Sequence, residues 1–279
     1  MNELPLQIQK AVRRYKPILT EGLTLYPVKV REYDEFQMAR PALEALQASF
    51  PVAYLSMPLL QVYYHLDVVE PLATGAAPTR LFGCALLALS LALRLGEGME
   101  AEKRILQWSP VVSREDPTRL KAVRALLNGE EMIEITPVQF QRLRPIIAAQ
   151  NGVELEADNA DPELVRAERE LAEMNNAKLD VSLEQTISSV CALTGADEEE
   201  IDEWPIRKLT TRAASLQRAL EYVVCGIGGA FGGFGKGGNP VPHPFYEQVE
   251  RDSAALTDLA SFAKGAAARA TLGNEQPTG

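Results

Sequence analysis

The run Leu81–Leu95 constrains this chain more than any other stretch. It is apolar on nearly every side, with Arg80 before it and Arg94 near its end. A helix that is apolar all round needs to be covered. The run is too short to span a bilayer, which takes about 20 apolar residues. It therefore reads as a buried core helix that closes at Gly96 and Gly98, and no membrane segment is expected. The remaining residues are expected to supply the cover, mostly as helices with one small β element. The fold class is mainly α with a small β element (α+β), a helical bundle carrying a short β-hairpin unit.

The charge pattern narrows the partners. A formal charge of −10 argues against nucleic acid, because phosphates demand a basic surface. The start Met1-Asn-Glu-Leu-Pro is not a signal peptide. Cys84, Cys191 and Cys225 have no metal-ligand spacing and are odd in number, which suits a reducing cytoplasm.

Reading in order, residues 1 to about 20 form a weak helix or ordered arm with basic Arg13, Arg14 and Lys16. Leu23–Val30 alternates like a half-buried strand, with Pro27 favouring an edge. Tyr33-Asp34 opens a helix carrying Phe36 to Phe50, bent or broken at Pro41. Met57–Val69 is a further helix, and a loop runs to Pro78. Ile105–Val112 reads as a strand interrupted by Pro110. Leu120–Leu127, Asn128-Gly129 and Met132–Ile135 read as a hairpin, since Asn-Gly tolerates positive φ at both turn positions. Thr136-Pro137 starts a helix that stops at Asn151-Gly152. The charged run Asp161–Lys178 is a surface or bridging helix with a thin stripe of Leu164, Leu171 and Met174.

The stretch Leu179–Tyr246 carries the most organised pattern. A first helix holds Val181, Ile187, Val190, Cys191 and Leu193 and is closed by Gly195. Asp197 is placed to cap the acidic turn Glu198–Glu200. Pro205 opens a long helix with Ile206, Leu209, Ala213, Leu216, Leu220, Val223 and Val224 on one face, ended by Gly226, Gly228 and Gly229. Arg207, Lys208 and Arg212 have Glu199 and Glu203 as candidate ion-pair partners. The run Gly226–Gly238 fails as a phosphate loop: Lys236 is followed by glycine and a helix precedes it, so it reads as a flexible tether holding Phe231 and Phe234. Pro240-Val-Pro-His243-Pro244 is stiff and extended. The tail beyond Lys264 reads as disorder. The domain reading is 1–98, a strand plus helical region; 99–152, a hairpin/helix unit; 153–178, a linking helix; 179–262, a helical region with the tether; and 263–279, a tail.

Three stretches together resemble the tail assembly chaperones of long-tailed bacteriophages and phage-like tail clusters. They are Leu25–Phe36, Phe140–Gly152 and the sequence from Ile201-x-x-Trp204-Pro205-x-Arg207-Lys208-Leu209 to His243. The resemblance covers roughly Gly22 to Tyr246. The long Gly/Phe linker and the small-residue tail depart from the family pattern. The resemblance implies a non-enzymatic protein of the host cytoplasm, absent from the mature virion. Such a protein binds the tape measure protein, in several copies per client, and keeps it soluble until tail tube subunits polymerise around it. It allows the tail tube subunit as a second partner and a homo-oligomer.

The expected contact residues are Leu209, Leu216, Leu220, Val224, Phe231, Phe234 and His243. No Ser–His–Asp set, paired-cysteine site or nucleotide fingerprint is present, so no cofactor or metal is expected. Two other readings remain open: a structural tail or baseplate component retained in the particle, and an enzyme with an unfamiliar site. The second would need a pocket of perturbed groups around His65, Asp67 and Glu70.

Overall fold

The computed structural model describes residues 4–127, 131–156, 162–175 and 182–230. The chain forms two compact units, Met1–Ala213 and Ala214–Gly279. The fold is mainly helical with small antiparallel sheets.

In the first unit, α1 (Leu6–Arg13) leads into a hairpin of β1 (Ile18–Thr20) and β2 (Leu23–Leu25). Its two turn residues, Glu21 and Gly22, both take positive φ, 52° and 76°. That conformation matches the twist of a two-residue hairpin. The expected strand Leu23–Val30 is thus only three residues long. From Tyr26 onward the chain is extended but pairs with other parts of the molecule.

A 3₁₀ turn at Val30–Glu32 leads into α2 (Tyr33–Glu44). Pro41 lies inside α2 and the helix ends three residues later, well before Phe50. The buried Arg144 donates to the Leu43 and Ala45 carbonyls at 2.6 and 2.8 Å, so the carbonyls at this helix end are satisfied by a side chain. The expected helix Met57–Val69 is segmented into α3 (Leu59–Tyr64), a π turn at His65–Val69 and α4 (Glu70–Thr74).

The core helix α5 (Leu81–Leu93) has Phe82 and every residue from Ala85 to Leu93 buried. It packs mainly along α2, and α3, α6 (Ala101–Ile105) and β2 also meet it. The polar groups of Ser90 within it and of Trp108 beside it are satisfied. Trp108 Nε1 donates to Ser90 Oγ at 2.8 Å, and Ser90 donates to the Leu86 carbonyl at 3.0 Å.

β3 (Ser109–Val112), β4 (Leu120–Leu127) and β5 (Glu131–Ile135) form an antiparallel meander, with Pro110 on the edge strand. The hairpin β4–β5 is as expected, and its turn lies outside the described residues. Val123, Ala125, Ile133 and Ile135 face inward and share one core with Phe36, Leu87 and Phe140. Residues 99–152 therefore do not stand apart: the inner face of so small a sheet is covered by the same helices as the N-terminal region.

α7 (Pro137–Gln150) begins with a reciprocal cap between Thr136 and Gln139. α8 (Pro162–Asn175) buries Val165, while Leu164 and Leu171 of the apolar stripe are exposed and the Met174 side chain lies outside the described residues. α9 (Leu183–Thr194) has a reciprocal Ser182–Gln185 cap and ends at Gly195 with φ 72°. Asp197 precedes α10 (Glu198–Asp202), but its side chain makes no capping bond.

α11 (Ile206–Ala230) continues through Gly226, Gly228 and Gly229, which were expected to end it. Glycine weakens a helix by roughly 1 kcal/mol per residue but, unlike proline, keeps its N–H.

Asn151 ends α7 and is 4 % exposed. Its Oδ1 accepts from the Val28 N–H and its Nδ2 donates to the Ile147 carbonyl, both at 2.8 Å. Asn151→Ala leaves a buried N–H without its acceptor. We expect a loss of about 1–3 kcal/mol in urea unfolding with an unchanged slope.

Candidate functional site

The segment Tyr26–Glu32 is a strap whose even-numbered residues bond inward. The Tyr26 N–H donates to the Ala92 carbonyl at the end of α5, at 2.7 Å. The Val28 N–H is held by Asn151, and the Val28 carbonyl accepts from the Ile206 N–H at 2.9 Å. The Val30 N–H donates to the Trp204 carbonyl at 2.8 Å. Glu32 accepts from the buried Arg104 guanidinium on α6, at 2.7 Å.

The Lys29 and Arg31 side chains point the other way, while Pro27 is buried. Lys29 Nζ lies 3.1 Å from Glu97 and 2.8 Å from Glu203, and Arg31 bonds to both carboxylates. The hydrogen bond from Lys29 holds both carboxyls below the usual glutamate range. Arg207 donates to the Ala149 carbonyl, and Lys208 Nζ sits 3.4 Å from the centre of the Trp204 ring. The basic residues that open α11 therefore do not take up the glutamate pairs expected for them. Glu203 is engaged by the strap instead.

The expected contact residues separate on inspection. Leu209 is 1 % exposed and belongs to the interior of the first unit, so it is withdrawn as a contact. Leu216 is half-buried. Leu220 is 49 % exposed, and its neighbours Tyr222 and Val223 are 45 % and 53 % exposed. Val224 lies on α11, but its side chain is outside the described residues, as are Phe231, Phe234 and His243. Tyr222 lies off the apolar helical spacing of α11 and is exposed beside Val223.

A cleft of ≈ 680 Å³ opens between α3 and the loop joining β3 to β4. Gln61, His65, Asp116, Thr118, Arg119 and Thr136 are among its lining residues. Three of its polar residues, Gln61, Asp116 and Thr118, hold the loop. Gln61 donates to the Thr118 carbonyl at 2.9 Å and accepts from the Leu120 N–H at 2.7 Å. Hydrogen bonds from the Thr118 hydroxyl and N–H hold the Asp116 carboxyl below its usual range.

His65 Nδ1 is 3.4 Å from the Tyr54 hydroxyl, which donates to Glu70. That hydrogen bond pushes the Tyr54 hydroxyl up, as do burial and the Glu70 charge. Asp67 accepts from Thr79 Oγ1 and from the Arg80 and Phe82 N–H groups at 2.7, 2.8 and 2.6 Å. It fixes the entry to α5, and His65 and Glu70 are joined through Tyr54 instead. Burial pushes the Cys84 and Cys191 thiols up, away from the nucleophilic thiolate. Among the described residues no group of three or more His, Cys, Asp or Glu side chains is arranged to hold a metal.

Compared with protein family models, with curated proteins and with solved structures, the chain finds no match in any of the three.

The ion cluster on the strap yields a pH prediction. Glu97 and Glu203 have depressed folded-state values, so their contribution is present above the ordinary glutamate range and is lost as pH falls through the folded values. Stability should decline as pH drops from about 5 toward 3. In Lys29→Met part of that decline should vanish, as read from urea midpoints across the pH series. An unchanged slope would mean that the cluster carries none of the acid sensitivity.

Proposed function

We propose that the chain is a tail assembly chaperone of a long-tailed bacteriophage or phage-like tail cluster. It binds the tape measure protein in the host cytoplasm and keeps it soluble, without covalent chemistry. Several copies serve one client and leave as the tail tube subunit polymerises. A client of that kind presents apolar helical stripes, and an exposed apolar helix face is suited to cover them reversibly.

One observation carries this reading. The resembling stretches Leu25–Phe36, Phe140–Gly152 and Ile201–Leu209 are far apart in sequence and interlock at the strap. Val28 bonds to Asn151 and Ile206, Val30 to Trp204, and Arg207 to Ala149. This supports treating the three as one inherited unit rather than as three separate chance likenesses. The contact surface within this reading is the exposed part of α11, Leu220, Tyr222 and Val223, with Leu216 beside them.

Co-expression with the neighbouring large, helix-rich gene product, followed by affinity capture and sizing, tests the proposal. The expected result is a soluble complex with a client that is insoluble alone. A client equally soluble alone, with nothing captured, contradicts it, and recovery of this chain from purified particles favours a structural component. Leu220→Asp with Val223→Asp should weaken capture by about tenfold or more while leaving the unfolding midpoint in place. Unchanged capture would move the contact away from this helix.

A further inference from the structure

We propose that the basic face at the end of α1 docks the acidic run Asp197–Glu200 of a second copy of this chain. Lys10, Arg13, Arg14 and Lys16 are all exposed and lie within seven residues on a chain of net charge −10. None of the four forms an ion pair among the described residues, although acidic side chains outnumber basic ones. Arg142 and Arg124, by contrast, are paired with Glu21 and Glu134.

The same unit carries the complement. Asp197, Glu198 and Glu199 are exposed and likewise form no ion pair among the described residues, and Glu200 accepts only from the Trp204 indole N–H.

The two patches also match in their apolar content. Leu6 and Leu19, 62 % and 76 % exposed, flank the basic face in sequence. Leu193, 48 % exposed, precedes the acidic run. A nucleic acid or an anionic surface would satisfy the cations alone. A second copy satisfies the cations, the carboxylates and the leucines together. Because each chain carries both patches, every copy can both give and receive the contact. Exposed ion pairs are weak and screened within about 10 Å at 0.1 M salt. The association is therefore reversible and salt-sensitive, and the net negative charge opposes it at longer range. This inference does not rest on the chaperone reading and survives if that reading fails.

The test is sedimentation velocity of the full chain over a concentration series. The wild type should self-associate, and the association should weaken as salt rises from about 0.05 M to about 0.5 M. Arg13→Glu with Arg14→Glu cancels the charge of the basic face and keeps the acidic run, and Glu198→Lys with Glu199→Lys cancels the charge of the acidic run and keeps the basic face. Each protein alone should lose about tenfold or more in association constant. An equimolar mixture of the two should associate, which also shows that both variants fold. A wild type monomeric throughout the series overturns the proposal, as it would if the basic face serves a different acidic partner. So does association indifferent to salt, association undiminished in either variant, or a mixture that stays monomeric.

Discussion

The backbone of Val28 is the point on which the first unit depends. Its N–H and carbonyl are buried with a residue that is 1 % exposed, and each has a single partner far away in sequence. A buried amide without its partner costs about 1–3 kcal/mol, a large share of ordinary domain stability. Asn151 can accept from Val28 only if α7 ends where it does, and Ile206 can donate only if α11 begins where it does. One residue therefore fixes the end of one helix and the start of another. Tyr26 and Glu32 extend the same alternation to α5 and α6.

That arrangement suggests a division of labour along α11. Its first turn is held by Val28 and by Arg207 on the Ala149 carbonyl. Ile206 and Leu209 are spent on the interior, at 3 % and 1 % exposure. The exposed apolar residues come later, at Leu220 to Val223.

The sequence was legible wherever the signal is local. The apolar run at Leu81, the strand pair on either side of residues 128–130, the Thr136-Pro137 entry and the Gly195 stop each depend on neighbours within a few residues, and these elements are present. It was illegible where a distant group decides. The run Leu23–Val30 pairs in a sheet only over Leu23–Leu25, and from Tyr26 onward it is held against the ends of α5, α7 and α11 instead. Arg144 read as one charge among many, and nothing local says that it satisfies the end of α2. The three helical glycines of α11 read as a stop because glycine is a weak prior against helix. Of the expected contact set, Leu209 failed because one face of a long helix need not have one environment along its length. Leu220 stayed exposed on that same face.

Hydrogen exchange on the chain, alone and in complex with the co-expressed client, tests the account most directly. The Val28, Val30 and Ile206 amides should exchange in the slowest class in both states, opening only with global unfolding. Added protection in the complex should fall on Leu216–Val223. Fast exchange at Val28 and Ile206 in the free chain would contradict the strap as the joint of the fold. Protection falling elsewhere, with α11 unchanged, would contradict the role in binding proposed for it.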